Sequence, residues 1–563
     1  MNSLIAHWPL KGNAGDRTGR HPGAAHDVGY VEGPSPGTGA VRFGPGRSRI
    51  EVPTSPGLML GSRDFTVSAW VRCPAVMRGN FGEILGKFHG PARCGFTLCV
   101  AGSSPGYNAM CDTRHVHFGI DDAYLGPWQD YGRPWPSNGL VSDLAVYEGS
   151  LYAGISDASD PRDAARVFRW AGGTEWEDCG RLGSDPGHLS VQSMLVHAGR
   201  LYAGTGVWDW VRSAGKDGFA PAPSHVFVHE GGRRWRDLGQ VGESVRVLTL
   251  ASFDGFLYAG LDRVGGGHVF RMEGDRWVDC GSLNGDNVEN LMPMDGALHG
   301  ATHTRIYRLE GEGGWRLLGD RPHSITQIHS MRAYGGRLHI GTWPHAYVLR
   351  HEGNTDWARV GCLGLPLGPG TPLINEVNDL TVHNGKLYAG VLPKSQVYRF
   401  EKDDQWTLLG SLATRPDWSQ DRLPSWGRVS CMASFQGRLM AGTGVCQARS
   451  IDCDPEGNHG RVLACQAGLM ASHEKDIGAD WTHVAGVREG RDLRLYLNGR
   501  LAATARGPDR TTFDLGNPEP LLLGNGPQGP FSGDLGDVRL YDGALGDPEI
   551  VELHAARGVD RTG

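Results

Sequence analysis

Three histidines, His303, His329 and His345, occupy a short span of the chain, with Arg305 and Trp343 beside two of them. Removing a proton α to a carboxylate and expelling a sugar oxygen needs a base, an acid and a cation at the carboxylate, tasks that imidazole and guanidinium suit. His329, His303, His345 and Arg305 are therefore the candidates for catalysis by β-elimination on an acidic sugar. Around them, Arg263, Arg246 and Lys394 supply positive charge and Glu376 a hydrogen-bonding group, while Trp343, Trp208 and Trp210 offer flat apolar faces for a sugar ring. Glycosidic hydrolysis would need two carboxylates opposed across the scissile bond; Glu289, Glu376 and Asp262 are available, and no spacing pairs them. The plainer alternative is a water-filled channel whose rim is polar, with His and Trp acting as plugs in a non-catalytic scaffold for glycans or proteins.

No cofactor is demanded by these groups, although two structural metals are conceivable. Cys446, Cys453, His459 and Cys465 provide three thiols and an imidazole, the ligand set of a closed zinc site, at irregular spacing. Free buried thiols, or a Cys446–Cys453 disulfide in an exported protein, fit the same residues.

The elements that must position these side chains come as a repeat. In 377–410, VNDLTVHNGKLYAGVLPKSQVYRFEKDDQWTLLG, apolar residues alternate and Asn384-Gly385 marks a two-residue hairpin, so four short strands run up and down. They are strand A (377–382), B (386–391), C (396–400) and D (405–410). The B strand recurs at Leu151, Leu201, Leu257, Leu298, Leu338 and Leu439, making seven A–B pairs. Strand D carries a Trp followed four residues later by Gly, at Trp176, Trp235, Trp277, Trp315, Trp357 and Trp406. Only the last unit, 429–465, lacks its D strand, and an orphan one, Trp128-Gln-Asp-Tyr-Gly132, precedes the first A strand. Pairing the orphan with Arg461–Cys465 closes a seven-bladed β-propeller and removes its exposed edge. The repeat resembles kelch-like propellers without their double-glycine signature. The D-to-A and B-to-C connections gather on one face, which carries the candidates named above. In architecture the chain looks like propeller-fold polysaccharide lyases, including those acting on ulvan, and that resemblance implies His, Arg and Tyr chemistry on an acidic polysaccharide.

The remaining residues also read as short strands, including LIAHWPL, FTVSAWVR, WTHVAGV and DVRLY, with a helical tail at 548–556. The stretches IAHWPLKGNAGDRTGRHPG, FTVSAWVR, WTHVAGVREGRDLRLYLNGRLAATA and FSGDLGDVRLYDGALGDPEIVELH resemble, in order, the laminin-G-like, concanavalin-A-like jelly roll. The expected fold is all-β: a propeller (123–467) inserted into one laminin-G-like sandwich split between 1–122 and 468–563, with Gln466–Asp480 as return linker. Insertion is feasible because closure brings both ends of the propeller to one blade. The resemblance implies a structural calcium held by Asp16 and Asp534 or Asp537, though a turn-forming role explains these residues equally well.

At 563 residues with a formal charge of −7, the chain has room for two domains and lacks the basic excess of a nucleic-acid binder. No apolar run is long enough to cross a bilayer, and the first residues lack the regions of a signal peptide. The expectation is cytoplasmic, or secreted or periplasmic had a signal been removed. Eleven scattered cysteines do not form a disulfide framework.

Overall fold

The computed structural model describes residues 3–557 apart from 45, 80, 103–109, 137–138, 157–162, 209–219, 265, 312–313, 365–374, 413–426, 445–459 and 510–512. Blade six comprises strands Glu376–His383, Lys386–Leu392, Gln396–Lys402 and Gln405–Ser411, within two residues of the sequence assignment. Blades three to six are separate four-stranded sheets, while blades seven, one and two join into one sheet of twelve. The fourth strand of blade seven is Gln129–Asp130, antiparallel to Val462–Cys465 with Gln129 opposite Ala464. Closure by the N-terminal strand therefore holds, and Arg461 also pairs with Asp130 through its guanidinium.

The physical reason for the Trp signature lies between blades. All but one of the D-strand Trp residues donate the indole N–H to a D-strand carbonyl of the preceding blade: Trp235 to Cys179 at 2.9 Å, Trp357 to Leu318 at 3.1 Å, Trp406 to Val360 at 2.9 Å and Trp128 to Leu409 at 3.2 Å. Trp176 and Trp315 make the same bond, to Tyr131 and Cys280. Among the described residues Trp277 Nε1 lacks it. The glycine four residues on clears space for the neighbour: a Cβ on Gly361 would lie 2.4 Å from the Trp406 nitrogen. Signature and clasp are thus one device, repeated around the ring.

The two flanks form one sandwich, because strands from both enter each sheet. One sheet pairs Gly533–Asp542 with Ser3–Trp8, Gly39–Phe43 and Phe65–Arg72. The other places Leu521–Leu523 between Arg49–Val52 and Gly82–His89 and ends in Cys94–Ala101, His115–Leu125 and Ala467–His473. Phe65, Phe96 and Phe118 meet between the sheets, with ring centroids 5.2 and 5.9 Å apart. The first half of the supposed return linker is therefore a strand: Ala467–His473 runs antiparallel to His115–Leu125, with Leu469 opposite Ile120. Its Ala, Gly and Ser residues muted the alternation that would have marked it. The chain thus leaves and re-enters the sandwich on paired strands.

The sandwich covers the propeller at its A–B hairpins. Gly149 donates its N–H to the Glu474 carbonyl at 3.0 Å, Ala198 to the Asp112 carboxylate at 3.0 Å, Asp254 to Met77 at 2.9 Å and Gly296 to Arg78 at 2.9 Å. Asn384 Nδ2 reaches the carbonyls of Ile120 and Ala467 at 3.2 and 3.1 Å, and Gln436 bonds the Glu474 carboxylate. The segment Met110–Asp112 touches the inner strands of blades two, three and five through Val196, Ser252 and Arg332, and so crosses the propeller axis. One end of the channel is covered, and the opposite end carries the candidate residues.

Candidate functional site

Strand A of every blade opens with a three-residue motif whose middle member is Val or Ile: Leu140-Val-Ser142, Ser190-Val-Gln192, Arg246-Val-Leu248, Asn287-Val-Glu289, Gln327-Ile-His329, Glu376-Val-Asn378 and Arg428-Val-Ser430. In six blades the middle Val packs against the B-strand glycine of the preceding blade; a Cβ on Gly341 would fall 2.4 Å from Val377 Cγ1. With the middle residue fixed in the blade interface, its two neighbours lie at the mouth, the end of the channel opposite the sandwich. Blades four to six carry polar groups at both positions.

The result is a cluster of polar side chains from three blades, hydrogen-bonded within each blade. His303 Nε2 lies 2.8 Å from Glu289 Oε1 and 2.8 Å from Asn287 Nδ2, and Asn287 also donates to that carboxylate. His329 Nε2 lies 2.8 Å from the Gln327 amide oxygen and 3.6 Å from Glu376 Oε2, while Asn378 donates to Glu376. The two imidazoles face each other with centroids 6.1 Å apart and planes inclined by 49°. Their side chains keep 20% and 16% exposure, whereas the Glu289 and Glu376 side chains keep 6% each.

Charge follows from this geometry. Burial pushes the Glu289 carboxyl up, but the hydrogen bond from His303 and the charges of His303, His329 and Arg246 outweigh it and hold the group down at about 2. Glu289 is thus an anion at neutral pH and holds the His303 ring through Nε2. The Gln327 oxygen does the same for His329.

Of the four groups expected to perform catalysis, the structure joins His303 and His329. His345 instead stacks on Tyr347 at 4.9 Å, and Arg305 pairs with Asp320 at 3.3 Å on the outer strands of blade four. Arg246 is gripped by Asp262 at 2.7 and 3.1 Å, close enough to influence Glu289. Arg263 is exposed beyond that pair, and Lys394 forms a bridge to Gly427. Trp343 lies opposite Gln327 in the blade-five ladder and is half-buried. Trp208 is not an open platform: it keeps 7% exposure against Leu140, with the Arg428 guanidinium 5.8 Å from its ring. Trp210, Cys446, Cys453 and His459 lie outside the described residues; Cys465 is buried, its thiol 3.3 Å from the Gly126 carbonyl.

The calcium expectation meets a structural obstacle. Asp16 accepts backbone N–H bonds from His7, Thr18, Arg20 and His21; Asp534 lies between Arg42 and Arg72; Asp537 pairs with His7 and Arg539. These carboxylates already have donors or cations where a calcium would need free oxygens. Among the described residues no group of three or more His, Cys, Asp or Glu side chains is placed to hold a metal ion.

Reading the blade connections in register puts Asn287, Gln327 and Asn378 on this face as well, without a role for them; what that reading missed is that Glu289 and Glu376 belong to the histidines. The signal was present: aligning the A strands on their Val or Ile puts N-V-E, Q-I-H and E-V-N at one position in successive blades.

Residues 469–551 match the family model of the Concanavalin A-like lectin/glucanases superfamily. The second flank is similar to that superfamily. No curated protein matches the chain. Similar solved structures include a catalytically inactive virginiamycin B lyase variant from Staphylococcus aureus with quinupristin, at 11% identity and TM-score 0.42, covering 60% of this chain and 99% of that one. A streptogramin B lyase follows at 10% identity and TM-score 0.40, covering 61% and 97%, and the WD40 propeller domain of Doa1 at 11% and 0.32, covering 60% and 96%.

Proposed function

We propose that this protein is a carbohydrate-active enzyme of lyase type that cleaves an acidic polysaccharide by β-elimination at the propeller mouth. The observation that carries the proposal is the pair of imidazoles with centroids 6.1 Å apart, each held through Nε2 by a neighbouring side chain. Two such groups can take a proton from one substrate atom and deliver one to a neighbouring atom, each step being worth on the order of 10²–10⁴-fold in rate. Arg263, exposed beyond the Arg246–Asp262 pair, takes the role expected of Arg305 in meeting the substrate carboxylate, and Trp343 is the ring available for stacking. Glycoside hydrolysis fits less well, since Glu289 and Glu376 are both committed to partners.

The test is to incubate the protein with acidic polysaccharides and follow the absorbance of unsaturated uronates. New absorbance that disappears in His329→Ala supports the proposal. A second reading, a non-catalytic glycan-binding scaffold, draws on the similarity of 469–551 to lectins; retention on an immobilised polysaccharide with no new absorbance would favour it.

A further inference from the structure

At the end of the channel away from the mouth, the joint between sandwich and propeller holds a second group of histidines. We infer that His115, His117, His383 and His473 form an acid-operated latch: as they take up protons, the sandwich loosens from blades six and seven while its contact with blades two to four stays closed. The latch is independent of what the mouth binds.

Strand His115–Leu125 alternates between two environments. Val116, Phe118 and Ile120 enter the core of the sandwich, so His115, His117 and Gly119 face out of it. That outward face meets the propeller, since a Cβ on Gly119 would collide with the Asn384 amide oxygen at the tip of the blade-six hairpin. His383 immediately precedes that tip. His473 lies on the neighbouring sandwich strand, where Ser472 stands opposite His117. The His115 and His117 rings have centroids 6.4 Å apart, and His115, His117 and His383 are all buried.

These rings are held by hydroxyl groups rather than by charge. His117 Nδ1 lies 3.0 Å from Ser472 Oγ, and His383 Nδ1 lies 2.9 Å from Ser434 Oγ of blade seven. A hydroxyl satisfies a neutral imidazole but brings no counter-charge to an imidazolium. His383 Nε2 is buried without a partner, so a proton added there finds no acceptor. Among the described residues none of the four pairs with a carboxylate. The acids packed nearby are neutral or taken. Glu474 accepts the Gln436 N–H, yet burial pushes it up to about 8; Glu83, beyond the Cys99 that stands opposite His117, is likewise raised by burial. Asp121 faces Arg93 and Lys386, and Asp476 pairs with Arg114 at 3.0 Å. Lys475 adds positive charge beside His473, and the Tyr388 ring, 6.1 Å from His383, is kept neutral by burial.

Burial, reinforced by the neighbouring histidines, accordingly holds His115 and His383 down at about 3 and His117 at about 4. Burial and Lys475 lower His473 as well. Groups depressed in this way contribute stability that is intact above the unfolded pKa, near 6.5, and is lost as pH falls toward the folded values. Each histidine released on opening takes up a proton, which raises the opening constant by up to about tenfold per pH unit. The other side of the joint is built differently. Asp112 accepts the Ala198 N–H at 3.0 Å and lies 3.3 Å from His197, whose hydrogen bond and charge outweigh burial and hold the carboxyl below its ordinary value. Asp254 bonds Met77 and Gly296 bonds Arg78 through backbone groups that do not titrate. Mild acid therefore frees one side only.

The experiment is hydrogen–deuterium exchange of the full chain, read by mass spectrometry from about pH 7 to about pH 5 with labelling times scaled for the intrinsic rate. The opening constant of peptides 115–121, 383–388 and 434–440 should rise by about 10²-fold or more, while that of 196–203 and 252–258 holds. In the double variant His117→Gln, His383→Gln the rise should shrink to about tenfold, the share of the histidines that remain. No rise in the parent, an equal rise in parent and variant, or loss of protection by both sets of peptides together overturns the latch. If the double variant does not fold at neutral pH, His383→Gln alone decides: it should take about one tenfold step off the rise, and an unchanged rise overturns the latch.

Discussion

Glu289 at the mouth of the propeller and Glu474 beneath its base are almost equally hidden, with 5% and 6% exposure, yet they hold opposite charge states. Burial pushes Glu474 up to about 8, and the single N–H of Gln436 does not reverse it; Glu289 stays at about 2 because His303 stands beside it. The same contrast extends to the surrounding groups. Where the sandwich closes over the base, burial and neighbouring histidine charge push His115 down to about 3 and His117 to about 4, and burial lifts Asp121 to about 7 against the pull of Arg93. Burial therefore does not decide whether a Glu or His is charged in this protein; the partner does. At the mouth a buried carboxylate stands beside an imidazole and stays ionised, whereas beneath the base Glu474 meets only a backbone N–H and is held in its neutral form.

The largest expected effect separates the ends by what each loses. His329→Ala should reduce turnover on a cleaved polysaccharide by about 10²–10⁴-fold with little change in melting temperature. His383→Ala at the base, where the ring is 1% exposed and bonded to Ser434 at 2.9 Å, should leave turnover intact and cost about 2 kcal/mol or more in urea unfolding. Exchanged outcomes would break the comparison.

Next in size is Asn384→Ala. It removes the donor to two buried carbonyls at the sandwich contact, a loss of about 2–3 kcal/mol that denaturant titration would register. A near-neutral result would mean that this contact is wet and the base is not sealed.

A pH series sharpens the contrast further. The folded pKa of Glu474, about 8, lies above its unfolded value. Its contribution is therefore fully present below the unfolded pKa and is lost as pH rises through the folded one. Glu474→Gln does not titrate, so its melting temperature should gain on the parent between roughly pH 5 and pH 8. His383 runs the other way: burial depresses its folded value to about 3, so its contribution is intact above the unfolded pKa and is lost as pH falls toward the folded one. His383→Gln should accordingly gain on the parent on acidification from about pH 6.5. Parallel curves for either variant and the parent would show the group to be solvated.

The smallest effect lies on the wall between the ends. Trp315→Phe should cost about 1 kcal/mol for the lost hydrogen bond to Cys280, whereas Trp277→Phe, which gives up no such bond, should cost distinctly less. Equal costs in thermal melts would assign the Trp signature to packing alone.

The repeat was legible because its cause is local and periodic. Alternation, the Asn384-Gly385 turn and the Trp-to-Gly spacing are each set within one blade, and the orphan strand at Trp128 followed from counting. The strand Ala467–His473 was not legible, since small residues hide its pattern and its partner lies far away in sequence. Within the site, His303 and His329 stood out by type, but Arg305 and His345 stood out equally and proved to belong to Asp320 and Tyr347. Residue type names a candidate; only the direction of its side chain shows whether it joins the others.

By itself the sequence determined the number of blades, the strand that closes them, and the division of the sandwich into two flanks, because each depends on short-range pattern and on the demand that no sheet edge stay unpaired. Tertiary structure alone decided which end of the channel the sandwich covers and which polar residues meet. Those outcomes depend on side chains from different blades converging at one axis, and on whether a buried carboxylate finds a histidine beside it, as Glu289 finds His303, or only a backbone N–H, as Glu474 finds that of Gln436.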